Sequence, residues 1–145
     1  MLFRSAECRR AVDVLAAERR VAVRVGRCPE VAFRGDEDLL RQLVLNVLQN
    51  AVQHTPAGGE VTIDLTQNGD SVSIRVVDTS SGIPLADRER IFDRFVQLDA
   101  ARRGAGAGLG LPIARWIAEA HGGTLELEES GSDGSTFRVV LPIAD

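Results

Sequence analysis

A surplus of basic charge is missing from this sequence of 145 residues: 17 Lys and Arg stand against 21 Asp and Glu, for a net charge of −4 and a pI near 5.2. That balance disfavours a nucleic-acid module built on a basic surface, because such modules neutralise phosphates with clustered Lys and Arg. Long hydrophobic runs are missing too. The apolar stretches are short and broken by charge, so none is expected to span a bilayer, and the N-terminus has no secretory signal pattern. Cysteine is scarce: Cys8 and Cys28 are too few for a disulfide framework and lack metal-ligand spacing, which favours a reducing, cytoplasmic setting. Aromatics are thin, with five Phe, one Trp and no Tyr against 14 Gly. What is present, 44% apolar and 26% charged residues, is the balance of a soluble globular protein. The length suits one domain over residues 1–145.

No internal repeat is visible. The pattern predicts a lead-in helix over residues 5–19, then extended stretches at 21–25 and 31–34. A helix follows Gly35, where Asp36 can cap it and Glu37 and Asp38 suit the positive end of its dipole. Its apolar stripe, Leu39, Leu40, Leu43, Val44, Val47, Leu48 and Ala51, has helical spacing and ends before Pro56 and Gly58-Gly59. Alternating residues predict strands over 60–66 and 71–78, and Asn68-Gly69 favours a tight hairpin between them. A short helix over 85–92, a glycine-rich loop, a helix over 109–120 and strands at 124–128 and 136–141 complete the reading. Mixed elements without regular βαβ alternation imply an α+β sandwich, one mixed sheet with helices on one face.

Three sets of residues carry chemistry. Asn46, Asn50 and His54 are four apart and line one side of the central helix, at the border of its apolar stripe. Asn is a weak helix former, so the line needs a reason: a polar flank packed on backbone, or carboxamide oxygens offered to a hard cation such as Mg²⁺. Asp78 shares a strand face with Val72, Ile74 and Val76. A carboxylate facing inward is costly without donors. It either caps the loop Thr79-Ser80-Ser81-Gly82 or accepts from a ligand amine such as that of adenine, with Gly82 admitting close backbone approach and Ile83 walling a flat ring. The run from Arg102 to Leu111, with Gly104, Gly106, Gly108 and Gly110, leads into a helix, where backbone N–H groups and the helix dipole suit phosphate and the arginines can add contacts. It lacks the GKS/GKT ending of a P-loop and the βαβ setting of a dinucleotide site. Phe92 and Phe95 read first as core packing that also anchors the near end of the loop. His54 and His121 share no metal-ligand spacing.

In order, these segments closely resemble the ATP-binding catalytic domain of sensor histidine kinases, in the superfamily shared with gyrase-type topoisomerases, mismatch-repair ATPases and a heat-shock chaperone family. Leu43 to Ala51 matches the N box, Asp78 to Ile83 the first glycine box, Ile91 to Phe95 the F box, and Gly106 to Leu111 the second glycine box. The ending Gly134-Ser135-Thr136-Phe137 with Leu141-Pro142 is also family-like. The resemblance implies a two-layer, Bergerat-type ATP-binding sandwich with a mostly antiparallel mixed sheet. The nucleotide would lie between the N-box helix and a lid at about residues 96–107. Asn50 would ligand Mg²⁺, with Asn46 helping to hold metal and phosphates as the other catalytic residue. Asp78 would accept from the adenine amine beside Gly82 and Ile83, and His54 would stack near the base. Arg103, Gly106, Gly108, Leu109 and Gly110 would face the phosphates, and Thr136 would join the nucleotide site.

Three positions depart from the family pattern. Ser80 replaces the usual glycine and Ala105 a common lid glycine, while Gln53 stands where many members carry a basic residue. Hydrolysing members of the superfamily have Glu at the position of Asn46. A carboxamide takes up no proton near neutral pH, so this site should hold ATP for phosphoryl transfer instead of hydrolysing it quickly. Neither His54 nor His121 suits the role of phosphoacceptor. The expectation is therefore a cytoplasmic catalytic-domain fragment, monomeric by itself, from a parent that could be membrane-anchored. Its partners would be a histidine-bearing dimerisation domain and, indirectly, a response regulator. A stand-alone anti-sigma-type serine kinase and a catalytically silent nucleotide-binding module are the alternatives.

Overall fold

The computed structural model describes residues 2–4, 21–29, 32–83, 85–88, 90–92 and 110–143. The predicted lead-in helix over 5–19 and the lid at about 96–107 lie outside the described residues.

Helix α1 spans Glu37–His54. Asp36 sits at its N-cap in an extended conformation, and its side chain accepts the Leu39 N–H at 3.0 Å, supplying a partner for one of the amides a helix start leaves free. Of the stripe read from the sequence, Leu40, Leu43, Val44, Val47, Leu48 and Ala51 are buried and Leu39 is partly buried, while Val52 joins the buried face. Thr55 ends the helix: its N–H reaches Val52 O at 3.3 Å and its hydroxyl donates to Ala51 O at 2.7 Å. Pro56 then prevents another turn.

Strands β1 (Leu2–Arg4), β2 (Ala22–Val25), β3 (Ala32–Arg34), β4 (Glu60–Asn68), β5 (Ser71–Asp78), β6 (Thr124–Gly131) and β7 (Gly134–Pro142) form two sheets. The main sheet has the order β2-β4-β5-β7-β6; β2 and β4 run parallel and every other pair is antiparallel. The β4–β5 hairpin turns at Gly69, whose φ of 57° is left-handed. A separate two-stranded sheet pairs β1 with β3. It was not expected, because three-residue strands are too short to show periodicity. The helix expected over 85–92 is instead two single 3-10 turns, Leu85–Asp87 and Arg90–Phe92. So short a segment gains too few hydrogen bonds to offset nucleation of an α-helix.

Helix α2 (Gly110–Ala120) lies beside α1 on the same sheet face and buries Leu111, Ala114, Ile117 and Ala118. Against the two helices the sheet presents Val61, Ile63, Leu65, Val72, Ile74, Val76, Leu125, Phe137, Val139 and Leu141, all buried. The opposite face is polar, with Arg75 donating from Nε to Glu128 Oε1 at 2.9 Å. The result is the expected α+β sandwich. His121, open between core and surface in the sequence, ties the two helices together. Its Nδ1–H donates to Ile117 O at 2.8 Å, and Nε2 accepts the Asp36 N–H at 3.1 Å. Among the described residues, no helix is long and apolar enough to cross a membrane.

Candidate functional site

At the C-terminal end of β5, Asp78 is only 2% exposed. Its Oδ1 accepts two backbone N–H groups, from Ser80 at 3.0 Å and Ser135 at 3.1 Å. Those donors offset the cost of burying a carboxylate. Oδ2 makes no hydrogen bond to a described residue, so one lone-pair edge is left for an incoming donor.

The loop after Asp78 is built tightly around this carboxylate. Ser80 is buried, and its Oγ accepts the Gly82 N–H at 3.2 Å. Serine here therefore supplies an internal turn contact in the place of the expected glycine. Gly82 has a φ of 89°, and a β-carbon on it would collide with the Gly131 carbonyl oxygen, so the position admits only glycine without rearrangement. Ile83 is buried, with its N–H on Ser130 Oγ at 2.7 Å. Ser130 Oγ lies 2.8 Å from Ser135 Oγ, which closes the loop onto the β6–β7 end.

The asparagine line lies on α1, which packs against β4 and β5. Asn46 is buried, and its carboxamide is partly committed: Oδ1 accepts from Gln42 Nε2 at 2.6 Å, and Nδ2 donates to Gly110 O at 3.1 Å. It thus links α1 to the first residue of α2, where the glycine-rich segment ends. Asn50 is half-buried and its side chain makes no hydrogen bond to a described residue. His54 is half-buried too, and its Nδ1–H donates to Asn50 O at 2.8 Å, which fixes the ring against the helix. Phe92 of the F box meets Phe137 edge-on at 6.4 Å between centroids, with the Arg115 guanidinium 4.4 Å above its ring. Core packing is its observed role.

One expected member moves. Thr136 pairs with Val77, whereas Ser135 pairs with Asp78. Side chains alternate along a strand, so Thr136 points to the other sheet face, although it borders one surface depression together with Asp78, Ser130 and Ser135. Ser135, buried beside the carboxylate, takes the inward place. The alternation Ser135, Phe137, Val139, Leu141 carried that signal. Ser130 and Arg88 were also missed, and no local pattern marks them. Arg103, Gly106, Gly108, Leu109 and Phe95 lie outside the described residues; Gly110 is exposed at the start of α2.

The chain that carries this buried carboxylate, glycine turn and asparagine-bearing helix is similar to known proteins. Residues 35–145 match the family of histidine kinase-, DNA gyrase B- and HSP90-like ATPases, and the chain belongs to that family. It is a catalytic ATP-binding domain of the sensor histidine kinase type. The sensor histidine kinase RppB of Synechocystis is 44% identical over 116 residues, covering 79% of this chain and 26% of RppB. The mycobacterial sensor histidine kinase MprB superposes with a TM-score of 0.86 at 29% identity, over 98% of this chain and 97% of that one. Full-length ShkA in complex with AMPPNP gives 0.77 at 29% identity, over 97% of this chain and 30% of that one. The curated relatives are much longer proteins: the chain spans 15% of the circadian kinase CikA of Synechococcus elongatus and about a quarter of RppB.

Proposed function

We propose that this domain binds ATP with Mg²⁺ and presents the γ-phosphoryl group to a histidine on a separate dimerisation domain of its parent kinase, from which a response regulator would then receive it. The observation that carries the reading is Asp78: a buried carboxylate with one oxygen held by two backbone amides and the other without a partner among the described residues. That edge suits the exocyclic amine of adenine, beside the Gly82–Ile83 wall. The AMPPNP complex of ShkA, a protein of similar fold, supports an adenine nucleotide as the ligand.

At the phosphate end the donor set suits a hard cation. Asn50 offers a carboxamide oxygen with no described partner, and Mg²⁺ favours oxygen ligands while keeping several waters. Bound there, Mg²⁺ would neutralise charge on the β- and γ-phosphates. Asn46 Oδ1 has one lone pair beyond its bond to Gln42, so Asn46 can assist while still joined to Gly110. Gly110 and, in this proposal, Arg103, Gly106, Gly108 and Leu109 would face the phosphate chain. His54 would flank the base, its ring oriented by Asn50 O. Neither asparagine can take a proton from water, which favours transfer over hydrolysis. The reading puts the domain in the cytoplasm, where ATP is supplied. The named relatives are sensor kinases, which leaves the serine kinase and the silent module less well supported.

The direct test mixes this chain, γ-labelled ATP and Mg²⁺ with the dimerisation domain of its parent. Label on a histidine of that domain is the expected result. Tight ATP binding without transfer would identify a nucleotide-binding module instead.

A further inference from the structure

Arg88 has a use that ATP binding alone does not explain. It follows the first 3-10 turn, is half-buried, and forms no ion pair with a carboxylate among the described residues. Its guanidinium is directed at two backbone carbonyls from distant segments, with Nε donating to Ile83 O at 3.1 Å and Nη2 to Ser130 O at 2.9 Å. Ser130 in turn holds the Ile83 N–H. Both backbone polar groups of Ile83 are therefore fixed, one by a hydroxyl and one by a planar, permanently charged fork. The same Ser130 hydroxyl meets Ser135, whose N–H donates to Asp78. A continuous set of bonds thus runs from Arg88 through the base-side loop to the buried carboxylate.

We propose that Arg88 is a positioning residue for purine selection. Acting through Ile83 and Ser130, it holds the Gly82–Ile83 wall at a set distance from Asp78 Oδ2. A ring bearing an amine then meets the carboxylate in register, and a ring bearing an oxygen at that place is rejected. The inference rests on the proposal that this site binds ATP. A loosened wall costs the adenine contact, while a guanine nucleotide, held mainly by its phosphates, has little at that wall to lose.

The test measures Kd for ATP and for GTP on the full chain by competition with a fluorescent adenine nucleotide. Arg88→Ala should weaken ATP by about tenfold, the scale of losing a hydrogen bond to a charged group, and change GTP by less than about twofold. Arg88→Lys, which can keep one of the two bonds, should recover part of the selectivity. A parallel loss for ATP and GTP would reduce Arg88 to general structural support and overturn the proposal, as would unchanged ATP affinity. Should Arg88→Ala fail to fold, Arg88→Lys and Arg88→Gln decide the matter, and an unaltered ATP-to-GTP ratio in both overturns it. If the unsubstituted chain binds ATP and the variants bind it equally well, the positioning role alone is lost. If the unsubstituted chain binds neither nucleotide, the ATP reading is lost and the inference with it.

Discussion

Replacing Asp78 by asparagine separates the two jobs of its carboxylate. Oδ1 serves the fold by accepting from Ser80 and Ser135, while Oδ2 is free of described partners. A carboxamide can keep its oxygen toward the two backbone donors, so folding loses only the charge assistance, a cost of about 1 kcal/mol. Its NH₂ group then occupies the place of Oδ2 and opposes the adenine amine, donor against donor. Losing a hydrogen bond to a charged acceptor costs about 1.5–3 kcal/mol, which is roughly a 10- to 150-fold rise in Kd for ATP. Asp78→Ala should behave differently. It strands two buried N–H groups at about 1–3 kcal/mol each, a large part of the roughly 5–15 kcal/mol that keeps a domain folded. Calorimetric titration with ATP and urea unfolding of both variants measure the two effects separately. An Asp78→Asn protein that binds ATP within twofold of the unsubstituted chain refutes the adenine assignment. One that unfolds as readily as Asp78→Ala refutes the division of labour between the oxygens.

Two further outcomes are expected. Asn50→Ala should change stability by no more than about 0.5 kcal/mol, since the carboxamide has no described partner, yet it should erase most of the gain in ATP affinity that Mg²⁺ provides; metal dependence surviving in titrations with and without Mg²⁺ would remove Asn50 as the ligand. Phe137→Ala should cost about 3–5 kcal/mol in urea unfolding, because its ring is 1% exposed and seats Phe92 edge-on; a loss below about 1 kcal/mol would mean that the ring does not anchor the core.

Much of this domain follows from local pattern. The stripe from Leu40 to Val52, capped by Asp36, specifies α1 because periodicity and capping act within a few residues. The alternation through Val72, Ile74 and Val76 was enough to turn Asp78 inward, and Asn68-Gly69 to close the hairpin. At Ser135 and Thr136, neighbours along β7, a step of one residue exchanges the sheet faces. By itself, then, the sequence determined α1, α2, the main strands, the inward carboxylate and the asparagine line, since each is a matter of spacing along one element. Tertiary structure alone decided the contacts between elements: the β1–β3 pair, the His121 bond to Asp36, the link from Asn46 to Gly110, and the Arg88 fork on Ile83 and Ser130. Such bonds join groups distant along the chain, often through backbone atoms that every residue carries, so no side-chain pattern announces them before the elements pack.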